Sequence, residues 1–348
     1  ERDPAHRLVS RPGHDTRLPD MLRLHPYEYH MPHALDEALS LLAVHGDDAM
    51  PIAGGTDLVP NMKHGLFTPG HLVALSRVRE MHGIASSEEE IRIGAAETLT
   101  SVATHPDILA RIPSLARAAE LVSGPQLRRV GTIGGNVCLD TRCAYYNQTK
   151  FWRKALGYCL KKDGDLCHVV KGGTRCVAAH SADTPPVLAV LDAILEVADE
   201  DGTRDVPIRQ FFTSDGIWNR SIGRSELVVA IRVPRPPAGT QVAFQKLRPR
   251  AAIDFPLANL AVRVGRDDDG RVSDFRLVVS AMGAYPRHVG KVEDAAMGNR
   301  LGPGVIEAVA EQAFRQCHPL SNITVDPEWR RAMIPVLVRR ALNEIAAA

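Results

Sequence analysis

Ala53-Gly54-Gly55-Thr56-Asp57-Leu58, continuing through Val59 and Pro60, is the stretch from which the rest of the chain is read. It follows Met50 to Ala53, a short apolar run expected to be a buried strand. A glycine pair after a strand lets the backbone turn sharply and aim consecutive N–H groups outward, which makes a nest for phosphate oxygens. Thr56 adds a hydroxyl donor. About 75 residues later Gly131-Thr132-Ile133-Gly134-Gly135-Asn136 repeats the pattern with three glycines, a threonine and an amide. One Gly-Gly pair is most often a turn; two such loops that can converge on one diphosphate point to a dinucleotide. Neither loop is G-x-G-x-x-G and the chain contains no such fingerprint, which argues against a Rossmann nicotinamide domain.

Outward from the first loop, residues 33–45 carry apolar side chains at helical spacing and stop at Gly46. His71 to Leu75 and Glu90 to Ile93 read as strands, and Ser114 to Val122 as a helix with Pro113 near its start. Past the second loop, Pro185 to Leu191 reads as a helix and Ala193 to Ala198 as a strand. Asp201-Gly202 is a turn, and Glu226 to Val233 is a strong β segment. Pro234 to Gly239 is the best linker candidate. Three strand-like runs follow (242–247, 257–264 and 272–282), then helical runs at 289–296, 305–316 and 328–347, the order of an α+β domain.

Bulk properties exclude several classes. The 348 residues exceed one compact core, so two or three domains are expected. Lys and Arg number 42 against 41 Asp and Glu, a formal charge of +1, so nothing global draws the chain to nucleic acid or a membrane surface. No apolar run approaches the ~20 residues of a membrane span. Residues 1–20 are polar and lack a signal-peptide core, and Met21 reads as a natural start. An extension outside the fold is expected there.

Five of the six cysteines lie between Cys138 and Cys176. The stretch from Cys138 to His180 has no clear period, and about 40 structureless residues inside a compact domain are against loop statistics. A metal site would order them. Cys143, Cys159, Cys167 and Cys176 are separated by 15, 7 and 8 residues, with no C-x-x-C pair. Neither zinc-ribbon nor bacterial-ferredoxin spacing is present, so four soft thiolates leave zinc and an iron–sulfur cluster both open. Cys138 and Cys317 read as packed thiols; His168 and His180 are left without a role. The stretch is also basic, with Arg142, Lys150, Arg153, Lys154, Lys161, Lys162, Lys171 and Arg175 against Asp140, Asp163 and Asp165. Such a face could dock an acidic electron carrier. No Ser/His/Asp or paired-carboxylate constellation is readable, so hydrolytic chemistry is not supported.

The two glycine loops in this order resemble the FAD-binding subunits of the xanthine dehydrogenase and carbon monoxide dehydrogenase family. So do Ala182-Asp183-Thr184-Pro185-Pro186-Val187-Leu188, similar to the family's Asp segment before a helix, and Phe244-Gln245-Lys246-Leu247, similar to its strand lysine. The insert between Asn136 and Asp183 is similar to that of the flavoprotein subunit of 4-hydroxybenzoyl-CoA reductase, in which four cysteines hold a 4Fe–4S cluster. The resemblance implies an α+β fold: a two-part FAD-binding domain of the vanillyl-alcohol-oxidase (PCMH) type over 21–235, with the insert at 138–180, then an α+β domain of the CO-dehydrogenase-flavoprotein kind over 240–348. It implies FAD held by 53–60 and by Thr132, Ile133, Gly134, Gly135 and Asn136, with Asp183 and Lys246 beside it. It implies a 4Fe–4S cluster on Cys143, Cys159, Cys167 and Cys176. The partners implied are a large molybdopterin subunit, a small subunit with two 2Fe–2S clusters and a carrier such as a ferredoxin, in a cytoplasmic dimer of heterotrimers.

Overall fold

The computed structural model describes residues 22–347; the expected extension over 1–20 lies outside them. A small parallel sheet comes first, built from β1 (Glu28–His30), β2 (Ala49–Ile52) and β3 (His71–Ala74) in the order β1-β3-β2. Parallel neighbours need a crossover. The helix Leu35–His45 supplies one, burying Ala38, Leu39 and Leu42 and ending at Gly46 with φ +52. β2 is an edge strand, so Pro51, which has no N–H to give, is tolerated there.

A five-stranded antiparallel sheet follows, ordered β4-β5-β8-β6-β7. Its strands are β4 (Ile84–Ser86), β5 (Glu90–Gly94), β6 (Ile194–Asp199), β7 (Gly202–Pro207) and β8 (Leu227–Pro234). β8 pairs on both edges and its residues 227–231 are buried without a break, which is why its sequence is nearly all apolar.

The third sheet, β12-β11-β10-β9, comprises β9 (Gln241–Leu247), β10 (Ala258–Arg266), β11 (Val272–Ser280) and β12 (Arg287–His288). Strand periodicity splits its two faces. Ala243, Leu260, Val262, Leu277 and Val279 join the core formed with the helices Pro303–Gln316 and Pro327–Ala347. Phe244, Ala261 and Val278 face the other way and join the core of the first two sheets. Both sides of this sheet are therefore dry, and β10 is buried from Ala258 to Gly265.

Two sequence readings are corrected locally. Ile133–Val137 is one turn of helix rather than loop, because the Thr132 hydroxyl accepts from the Gly135 amide. Of the run expected over 289–296 only Glu293–Ala296 is helical. The stretch 138–180 contains one short helix, Lys150–Ala155, and is otherwise turns and isolated bridges. No helix among the described residues is long and apolar enough to cross a membrane.

Candidate functional site

The two glycine loops meet. A Cβ at Gly54 would overlap the Val130 carbonyl and press on Gly131, so only glycine permits the approach. Gly55 has φ +66, the left-handed region that glycine adopts at no steric cost. The loops then differ in what they offer. Among the described residues, the amides of Gly54, Gly55, Thr56 and Asp57 donate to no protein acceptor. Most of the second loop's amides are spent within the protein. Ile133 donates to Glu97 O (2.9 Å), Gly134 to Ala95 O (2.9 Å), Gly135 to Thr132 Oγ1 (3.0 Å) and Asn136 to Thr132 O (2.9 Å). Gly134 is required because a Cβ would collide with Ala95. The first loop leaves its amides open, as an anion nest requires; the second is mainly a packing joint in the cleft wall.

Both loops line one cleft of about 680 Å³. Ala53 through Leu58 reach it, with Thr132, Gly134, Gly135, Asn136 and Asp183. Val59, Pro60, Ile133 and Lys246 do not; Ile133 is fully buried in the core and Pro60 is exposed. Lys246 works from behind: its ammonium donates to Asp183 Oδ2 (2.6 Å) and Leu121 O (3.0 Å). Asn259, opposite Lys246 in register, donates to Asp183 Oδ1 (3.1 Å) and Ala182 O (2.9 Å). Burial raises the Asp183 carboxyl above its ordinary range and lowers the Lys246 ammonium, while each partner's charge opposes the shift of the other. Asn136 is also structural, since its Oδ1 accepts from Thr184 N (3.1 Å) and Oγ1 (2.7 Å) and ties the second loop to the helix Thr184–Val190.

Three stretches of the wall carry no motif. Ile217, Trp218 and Arg220 line it from the connection before β8, with the Arg220 guanidinium 3.9 Å from the Trp218 ring and bonded to the Cys138 carbonyl. Val122 and Ser123 line it after a helix end, and Ile253, Asp254 and Phe255 reach over from the C-terminal sheet. A Trp-Asn-Arg cluster in a turn-rich connection was the one available signal.

Cys143, Cys159, Cys167 and Cys176 line a single small cavity. The stretch is pinned from several sides. Arg153, 1% exposed, donates to Gly65 O (2.8 Å) and Gln148 O (3.3 Å) and pairs with Asp163 (3.3 Å). Lys161, 4% exposed, reaches Asp140 (2.7 Å) and Gly216 O (2.8 Å). Arg142 pairs with Asp57 of the first loop. These three cations are therefore internal struts, which corrects the reading of all eight as a docking face; Lys150, Lys154, Lys171 and Arg175 are the exposed ones. Burial pushes the Cys143 thiol up to about 11, with the backbone bond at Tyr145 opposing and the other three cysteines adding to the rise; burial raises Cys176 as well. Such thiols keep their protons unless a bound cation displaces them. Amides already point at two sulfurs, Val170 N to Cys167 Sγ (3.4 Å) and Ala178 N to Cys176 Sγ (3.5 Å). Tyr146 and Lys161 line both this cavity and the cleft, so the two are neighbours.

Residues 25–236 match the family described as the FAD binding domain in molybdopterin dehydrogenase, and residues 243–345 the CO dehydrogenase flavoprotein C-terminal domain. The chain is similar to the carbon monoxide dehydrogenase medium chain of Hydrogenophaga pseudoflava, with 30% identity over 91% of this chain and 96% of that one. It is similar to the xanthine dehydrogenase FAD-binding subunit of Escherichia coli O157:H7, with 28% identity over 92% and 96%. The solved carbon monoxide dehydrogenase of Hydrogenophaga pseudoflava superposes with a TM-score of 0.77 at 28% identity, over 93% of this chain and 99% of that one.

Proposed function

Because this chain belongs to the FAD-binding subunits of the molybdopterin dehydrogenases, we propose that its cleft holds FAD, that its four insert cysteines hold a 4Fe–4S cluster, and that it relays electrons as the flavoprotein subunit of a molybdenum oxidoreductase. The free amides of 54–57 and the Thr56 hydroxyl would take the diphosphate. Thr132, Gly134 and Gly135 would wall it, and Asp183, held by Lys246 and Asn259, would present its carboxyl to the cleft. When bound, FAD exchanges one or two electrons and so joins one-electron carriers to two-electron chemistry.

The observation that carries the relay is adjacency: the four-cysteine cavity and the cleft share Tyr146 and Lys161. The four thiols line one cavity, and soft sulfur donors suit an iron–sulfur cluster. The amide–sulfur bonds are of the kind that tune cluster potentials.

The insert makes the reading 4-hydroxybenzoyl-CoA-reductase-like. Substrate chemistry would fall to a large molybdopterin subunit, reached through a small subunit with two 2Fe–2S clusters. An external carrier such as a ferredoxin would meet the insert, in a cytoplasmic dimer of heterotrimers. The relatives' designation as a medium chain supports larger and smaller partners. Two separate cores support domains over 21–235 and 240–348. Anaerobic purification with flavin, iron, zinc and acid-labile sulfide measured per chain tests the reading. About one FAD with about four irons and four sulfides in the chain separated from its partners upholds it. One FAD with one zinc and no sulfide removes the cluster and leaves the insert a structural clamp. Any one of the four cysteines changed to Ser should lose the iron while FAD stays bound.

A further inference from the structure

Away from the cleft and the cysteines, three histidines converge from three different elements. His30 ends β1, His71 begins β3, and His45 is the last residue of the helix Leu35–His45. One ring nitrogen from each lies within 4.8 Å of the other two. His30 Nε2 and His71 Nδ1 are 3.0 Å apart, and the His45 ring stacks on His71 with centroids 3.6 Å apart. Glu28, cross-strand from His71 and two residues before His30 on the same strand, places a carboxylate oxygen 3.6 Å from His71 Nδ1.

From this cluster we propose a metal site for a divalent late first-row ion of the zinc class, with His30, His45 and His71 as ligands and Glu28 as the carboxylate beside them. Four features support it. Imidazole suits zinc, copper and nickel. Tetrahedral Zn–N bonds of about 2.0–2.1 Å put neighbouring nitrogens about 3.3 Å apart, near the 3.0 Å between His30 Nε2 and His71 Nδ1. The helix ends at His45, and its C-terminal carbonyls favour a cation. The frame is firm: the Gly70 amide donates to Asp48 Oδ1 (2.8 Å) and the Glu28 amide to Gly70 O (2.7 Å), fixing the start of β3 against both neighbours. An ion here would clamp the parallel sheet whose β2 runs into the 53–60 loop, so its role is structural.

The test uses the intact complex with Zn²⁺ alone, desalted over a chelating resin. Wild type should retain one zinc per chain that the His45→Ala/His71→Ala double variant lacks, with FAD and iron content equal in the two. Wild-type Tm should rise by about 3 °C or more with Zn²⁺, and the variant's should not. His45→Gln, which keeps the helix end filled, should lower zinc retention even where the double variant folds poorly. Co²⁺ reports the donors: visible bands without a thiolate charge-transfer band are expected from this site. Equal zinc in wild type and both variants, or a cobalt spectrum carrying only thiolate charge transfer, overturns the proposal.

Discussion

Gly54 and His180 show how much single residues decide. A Cβ at Gly54 meets backbone at Val130 and Gly131 rather than a side chain that could swing away. Gly54→Ala should therefore open the joint between the loops and lower FAD affinity tenfold or more, about 1.4 kcal/mol, read as flavin per chain. Gly172→Ala, where a Cβ meets nothing but φ is +71, should cost some stability and leave FAD in place. His180 is fully buried, and burial holds its imidazole at about 3, against about 6.5 in an unfolded chain. Between those values the unfolded state binds a proton that the native state does not. The stability this residue contributes is therefore complete above about pH 6.5 and is lost as pH falls toward about 3. A His180→Gln chain should show a flatter fall in Tm between pH 6.5 and 4.5 than wild type. The glycine loops were legible because glycine pairs after a strand carry a mechanism. The difference between them was not, because whether an amide is free depends on Ala95 and Glu97, which are remote in sequence from the second loop.

At the scale of elements, apolar periodicity located most strands and the long helices, including Leu35–His45 and β8. It failed where polar anchoring replaces a hydrophobic face. The insert is held by Arg153 on the carbonyl of Gly65 and by Lys161 on Asp140, contacts that leave no period to read. The same fact divides its charges. Lys150, Lys154 and the 85%-exposed Phe151 stand on the outside of the insert helix, while Arg153 points in. Lys150→Glu/Lys154→Glu should slow electron exchange with an acidic carrier severalfold at low salt and flatten its ionic-strength dependence. A rate unmoved by either the charges or the salt would remove this helix as the docking element. Thermal stability of the variant should match wild type, since neither lysine side chain is buried.

For the whole molecule, the decisive feature is the sheet shared by two cores. β9 and β10 put Lys246 and Asn259 side by side on the face that meets the FAD-binding half, and both close on Asp183. Removing one partner of a buried pair leaves an uncompensated charge, at a cost of about 3–5 kcal/mol. Lys246→Met should thus lower Tm markedly and loosen flavin binding together. An Asp183→Asn/Lys246→Met double variant should recover part of the stability without the flavin affinity. Sequence alone determined the two glycine loops, the α+β order of elements, the four candidate thiols and the family to which they point, because each rests on local backbone chemistry or on residue type at a fixed spacing. Only the tertiary structure decided which amides stay free, which insert cations are struts, that Lys246 reaches Asp183 from behind the cleft, and that four cysteines border that cleft through Tyr146 and Lys161. Those are relations between residues tens to more than a hundred positions apart, set by which strands pair and which faces must be buried, and no local pattern encodes them.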